Sequence, residues 1–227
     1  MADRTEFLDK IRHRTRSGRY QPTRAPDVAW TPAGDPRERE PIEDPSARFL
    51  EELEALGGGG KSVGSFAEAR DYVLSLVEER SAKLVVRWDV EELEELGADG
   101  PLERWGTDVV VWRDLDNGRE VAAEADIGIT TAEWAVAETG SLVLAGGPGK
   151  GRSVTLLPPV HVAMVPVDRL LSTVPEVIGK YAGGSIPANL CFHTGPSRTG
   201  DIEMTLSIGV HGPGEVHVVL VGRSDAV

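Results

Sequence analysis

ADIGITTAEWAVAETGSLVL, residues 125–144, decides the fold. ADIGIT (125–130) is a short apolar run of strand length, and SLVLA (141–145) is a second. Between them, Thr130-Thr-Ala-Glu133 has the spacing of a capping box, in which a hydroxyl and a carboxylate satisfy free amides of a first helical turn. The spacing predicts a helix from there to the turn glycine Gly140. Strand, helix, strand is a βα unit, and the same alternation continues on both sides. Upstream, Ser65-Phe-Ala-Glu68 caps a helix to about Arg80, KLVVRW (83–88) is a buried strand, and Asp89 caps a helix through Leu96. DVVVW (108–112) is the next strand, followed by a helix near 118–124. Downstream, HVAMVP (161–166), NLCFHT (189–194) and EVHVVLVG (215–222) read as strands, and 168–180 as helical with a restart at Thr173-Val-Pro-Glu176. Apolar runs alternating with amphipathic helices give an α/β protein with a mostly parallel sheet and helices on both faces. Ligands of such sheets collect beyond the carboxyl ends of the strands.

The N-terminal part differs. Phe7, Leu8 and Ile11 fall on one face of a short helix over 3–16, and 17–44 is a Pro-rich linker with little capacity for a core. A helix over about 46–56 then ends in Gly57–Gly60. The chain therefore divides into 1–44, helix and linker, and 45–227, the α/β domain.

With 227 residues, 40% of them hydrophobic, the chain can bury one large core. Its net charge of −13 disfavours nucleic acid and anionic membranes. Residues 1–24 carry seven basic and three acidic side chains, a balance of +4 that leaves −17 on the rest. That arm is either a solvated tail or a contact for an acidic partner surface. Cys191 is the single cysteine, so neither an internal disulfide nor the four thiolates of an iron–sulfur cluster can come from this chain. The N-terminus lacks an apolar signal region and no apolar run approaches membrane-spanning length, so the expected location is cytoplasmic.

Two glycine runs imitate phosphate loops. GGGGKS (57–62) follows a helix rather than a strand, and Ala55 stands where the pattern needs its first glycine. GGPGKGRS (146–153) follows the strand SLVLA, but Arg152 holds the lysine position and Pro158-Pro159 would stop a following helix. It is read as a rim loop in which Gly146, Gly147, Arg152 and Ser153 allow close approach to a ligand. No HxxxH or HExxH pair exists, so no metal site is expected; His161 reads as a core or edge histidine, and His193 with Asp201 and Glu203 makes at most a hard-metal set.

Three stretches carry the chemistry: 125–144, with Glu138 beside Gly140; GRSVTLLPPVHVAMVP (151–166); and HTGPSRTGDIE (193–203). In the last, Gly195-Pro-Ser-Arg-Thr follows a strand and is read as leading into a helical turn, where free amides, two hydroxyls and a guanidinium suit a carboxylate or phosphate. A Gly-Pro turn with a surface arginine is the plainer alternative.

In this order, ADIGITTAEWAVAETG, RSVTLLPPVHVAMVP and TGPSRTGDIE resemble the LUD-domain family, lactate utilization protein C. The likeness extends more loosely over about 45–222, with Gly200 where the family usually has alanine. The resemblance implies a fold like glucosamine-6-phosphate deaminase, ribose-5-phosphate isomerase and the CoA transferases. It also implies a role in oxidising L-lactate to pyruvate beside a cysteine-rich protein and an iron–sulfur LUD protein, with the clusters in those partners. Two functions compete. In the first, the chain is a ligand-binding or assembly subunit that holds a small anion through Thr130, Thr131, Gly146, Gly147, Arg152, Ser153, Thr194, Gly195, Ser197, Arg198 and Thr199. In the second, it is an independent enzyme of CoA-transferase or sugar-phosphate isomerase type, with Glu138 as nucleophile or base.

Overall fold

Asp44 opens the first helix, α1 (Pro45–Ala55), by accepting from the amides of Ser46 and Ala47 at 3.0 Å each. Pro45 at the first helical position costs no hydrogen bond there. The helix buries Phe49 and Leu53. It stops at Gly57, whose φ of +82° suits a residue without a Cβ; Gly57 N donates to Glu54 O and Gly58 N to Leu53 O. The next glycines belong to strand β1 (Gly59–Val63), where a Cβ on Gly60 would collide with the carbonyl of Val218. The GGGG run is thus a helix stop followed by a strand. These elements come from a computed structural model, which describes residues 41–113, 117–182, 187–200, 206–209 and 211–222, with Arg4, Leu8 and Asp9. Those last three are helical; the rest of the expected 3–16 helix and most of the 17–44 linker lie outside the described residues. The chain divides into two compact units, Met1–Arg39 and Glu40–Val227, and the elements that follow belong to the second.

Ser65 caps α2 (Phe66–Glu79) by accepting from Glu68 N, while the Glu68 carboxylate accepts from Gly64 N, one residue earlier than a standard capping box. There follow β2 (Leu84–Trp88), α3 (Glu91–Leu96), α4 (Asp99–Arg104), β3 (Asp108–Trp112), α5 (Gly118–Glu124) and β4 (Ile127–Thr131). Asp89 does not cap α3: Val90 occupies that position, and the Asp89 amide donates to Gly149 O. α4 was not anticipated; Gly100 and Pro101 hide it from any periodicity count.

The stretch after β4 departs furthest from the sequence reading. Residues 131–140 are not a helix. Thr130 and Thr131 complete β4, then β5 (Trp134–Val136) and a 3-10 turn (Ala137–Thr139) lead through Gly140, at φ +61°, into β6 (Ser141–Ala145). β5 and β6 form an antiparallel hairpin, Trp134 opposite Val143 and Val136 opposite Ser141. The capping-box pattern is a local preference worth about 1 kcal/mol. It loses to tertiary burial, because Ala135, Val136 and Ala137 are all completely buried, on both sides of the hairpin.

The remaining elements are α6 (Ser153–Leu156), β7 (Val160–Pro166), β8 (Leu170–Leu171), α7 (Val174–Lys180), β9 (Leu190–His193), β10 (Arg198–Gly200), β11 (Leu206–Ile208) and β12 (Glu215–Val221). The sequence reading made 168–180 helical with a restart at Thr173; only the part after the restart is α-helix. The helical turn expected after Gly195 is instead β10, paired antiparallel with β11.

The fold is α/β. Six strands form a parallel sheet in the order β1-β12-β7-β4-β2-β3. A smaller sheet, β8-β5-β6-β9, adds the hairpin and β9, so SLVLA and NLCFHT are not in the main sheet. Leu142 and Leu144 of the small sheet share one buried cluster with Ile127, Ile129 and Val162 of the main sheet. Val136, Val143 and Val177 form a second cluster.

Candidate functional site between the two sheets

Strand register places the site. Val86 pairs with Gly128 and Gly128 with His161, so their side-chain directions share one face of the main sheet; two residues on, Trp88, Thr130 and Ala163 share that face. Trp88, Thr130 and Thr131 lie at the carboxyl ends of β2 and β4. These neighbouring strands send their connections to opposite sides of the sheet, the usual place for a ligand crevice. Gly128 keeps the face low: a Cβ there would run into the carbonyl of Val154.

Two histidines meet here. His161, from β7, is completely buried, and its Nε2 shares a 2.8 Å hydrogen bond with Thr130 Oγ1. The ring of His193, from β9, stacks on it with centroids 5.1 Å apart and planes inclined by 17°. The Nδ1 atom of each ring is buried without a hydrogen-bond partner. Burial pushes the His161 imidazole well below its usual range, and the neighbouring His193 adds to the shift. Burial alone lowers His193. Both rings are therefore neutral near pH 7, and each has an unused nitrogen. Such an atom costs about 1–3 kcal/mol when left unmet. One residue along from Leu142 and His193, and so on the other face of the small sheet, Thr139 Oγ1 donates to Ser141 Oγ (2.8 Å), which shares a 2.7 Å hydrogen bond with Thr194 Oγ1.

A cleft opens farther along the inner face of the small sheet. Cys191 and His193 are two residues apart on β9, opposite Leu144 and Leu142 of β6, so they face the same way about 7 Å apart. Cys191, Leu144, Trp88, Leu156, Thr155 and Asn189 line the cleft together with Gly146, Lys150 and Arg152. It has about 20 Å³ of space, room for one water-sized guest. The 146–153 loop is clamped to the end of β2: Trp88 Nε1 donates to Gly151 O and Asp89 N to Gly149 O, both at 2.9 Å. Lys150 Nζ lies 3.8 Å from the Glu133 carboxylate and 6.0 Å from the centre of the Trp88 ring.

The three signature stretches do come together here, through Thr130, His161 and His193. Of the residues singled out from the sequence, Thr130 meets the histidine pair, Thr194 belongs to the separate hydroxyl array, and Gly146 and Arg152 line the cleft. Thr131 faces the opposite side of β4, Gly147 is exposed on the turn with Lys150, and Ser153 starts α6. Glu138 Oε1 accepts from Val174 N at 2.7 Å, holding the start of α7. Gly195, buried at φ +73°, packs on Leu56; Ser197 N donates to Pro213 O, and the Arg198 guanidinium donates to Leu56 O. Gly195 and Arg198 tie this segment to the end of α1, and Ser197 ties it to the loop before β12. The side chains of Thr199, Asp201 and Glu203 lie outside the described residues. Among the described residues, no cluster of three or more His, Cys, Asp or Glu side chains is placed to hold a metal. Nor is any helix there long and apolar enough to cross a membrane. The sequence reading passed over the histidine pair, Trp88, Lys150 and Asn189. Its one available signal was His161, a polar residue inside the apolar run VHVAMV.

The sequence profile described as LUD domain matches residues 46–221. A protein of Halalkalibacterium halodurans named lactate utilization protein C is 41% identical over 146 residues, 61% of this chain and 63% of that protein. One of Oceanobacillus iheyensis with the same name is 28% identical over 216 residues, 83% of this chain and 92% of the relative. The alignment thus spans under two thirds of the first relative's length and nearly all of the second's. A crystal structure of a duf162 family protein from Deinococcus radiodurans superimposes with a TM-score of 0.54 at 21% identity, covering 80% of this chain and all of that one, which supports the fold. With its profile match running from α1 to the end of β12, the chain belongs to the LUD domain family.

Proposed function

We propose that this chain serves lactate utilization as a subunit of an L-lactate-oxidising system, and that it binds a small organic anion between its two sheets. The observation that carries the binding site is the meeting of Thr130, His161 and His193, one from each signature stretch, around two unmet imidazole nitrogens. Lys150 and Arg152, which line the adjoining cleft, supply positive charge in a chain of net −13. The names of the relatives support the lactate role.

Conversion of lactate to pyruvate releases two electrons and two protons. With Cys191 as its single cysteine, this chain has no thiolate set for a cluster, so the electrons pass to iron–sulfur partners: an iron–sulfur LUD protein and a cysteine-rich protein. Its own part is to hold the acid in a fixed place. The test is a deletion strain with no second copy, complemented in turn by the wild-type gene and by Arg152→Ala and His193→Gln. The proposal expects loss of growth on L-lactate, rescue by wild type and impaired rescue by either variant. Wild-type growth of the deletion strain would refute it.

The second reading, an enzyme using Glu138, has one observation in its favour: the carboxylate lies one residue from Thr139 of the hydroxyl array. Screening purified protein with acyl-CoAs and sugar phosphates, and with Glu138→Gln, decides that case.

A further inference from the structure

We infer that the stacked His161–His193 pair is a proton-coupled anion site: a small carboxylate bound against this face brings one proton with it, carried on the pair. The inference rests on the anion-binding reading above and adds what that reading leaves open, how the anion's charge is balanced inside the molecule.

Geometry makes the case. The pair spans the two sheets, His161 from β7 and His193 from β9. Burial depresses both rings, and for His161 the neighbouring His193 ring adds to it. On the elements packed around them, Thr130 of β4 and Leu142 of β6 bring no charge. The nearby cations, Lys150 and Arg152, belong to the cleft about 7 Å along β9, and Lys150 already faces Glu133. A carboxylate seated by the rings would therefore be buried without its own counter-ion, which is costly. Two neutral rings whose buried Nδ1 atoms lack hydrogen-bond partners solve this with one proton. The second ring cannot charge at 5.1 Å from the first without strong repulsion, so uptake stops at one. His193 is only partly buried, and the anion and its proton reach the pair from that side.

The sign follows from linkage. Burial depresses both imidazoles in the empty protein, and an anion raises the one that it touches. Between the two conditions the complex binds one proton more than the free protein. Affinity then rises about tenfold for each pH unit lowered within that window.

The experiment is calorimetric titration of the purified full-length chain with sodium L-lactate, and with formate as the smallest carboxylate, at one pH in two buffers of different ionisation enthalpy. The expected result is an observed heat that differs between buffers by about one proton per anion bound. That uptake should disappear in His193→Gln and His161→Gln and persist in His211→Gln. Thermal melting checks that each variant is folded; if His161→Gln is not, His193→Gln, on the less buried ring, decides alone. Lactate binding without proton uptake, or uptake unchanged in His193→Gln, overturns the inference and leaves the anion site standing. Failure of wild-type protein to bind any carboxylate overturns both.

Discussion

At the residue scale, Thr130 and Glu138 show how differently two polar side chains from one motif are used. Thr130 Oγ1 meets His161 Nε2 inside the molecule, so Thr130→Val leaves that nitrogen buried and unmet while keeping shape. The expected cost is about 1–3 kcal/mol, read as a lower urea midpoint with an unchanged slope. Glu138 supports α7 through the Val174 amide. Glu138→Gln preserves an acceptor oxygen and should cost less than about 1 kcal/mol, whereas Glu138→Ala orphans the amide and should cost more. Equal loss in both variants would show that charge, rather than the hydrogen bond, is what matters there. The sequence could name Thr130 and Glu138 because they sit in a recognisable motif. It could not pair His161 with His193, 32 positions apart, because stacking between two sheets leaves no trace in spacing.

At the scale of elements, five strands of the parallel sheet were legible because buried apolar runs such as LVVRW and VHVAMVP have no other use for their length, while β1, GGKSV, offers no apolar run and was missed. The small sheet was not. Its strands are short and its hairpin carries a helix-capping pattern, so local preference pointed the wrong way and burial from distant residues decided. The same holds for β10, where the turn expected to expose amides to an anion is spent on Pro213 and Leu56. Two substitutions test how the elements lock. Asp99 grips the nearly buried Arg87 through both Nε and Nη2, at 2.7–3.0 Å. Asp99→Ala leaves that guanidinium without its counter-ion, an expected loss of about 3–5 kcal/mol in chemical denaturation. Gly128→Ala pushes a methyl into the Val154 backbone and must shift α6, the element that flanks the cleft; a loss of about 1–3 kcal/mol is expected.

At the scale of the molecule, burial of two neutral imidazoles between sheets has a pH signature. Both are depressed from the ordinary value of 6.5, so the unfolded chain binds protons that the folded one refuses. Stability contributed by these sites is complete above about pH 6.5 and falls as the pH drops below it. Melting temperature should therefore decrease on acidification from pH 7 to 5, and the decrease should be smaller in a folded His193→Gln variant. A bound anion reverses this trend locally, because it favours the charged pair.

The central claim is that the ligand of this LUD-domain protein sits between the main sheet and the small sheet, at the two stacked histidines. Imidazole nitrogen NMR of uniformly labelled protein during an L-lactate titration tests it directly. The resonances of His161 and His193 are expected to move together and saturate, while those of His211 and His217 stay in place. Saturating shifts at His211 or His217 with His161 and His193 unmoved would contradict it.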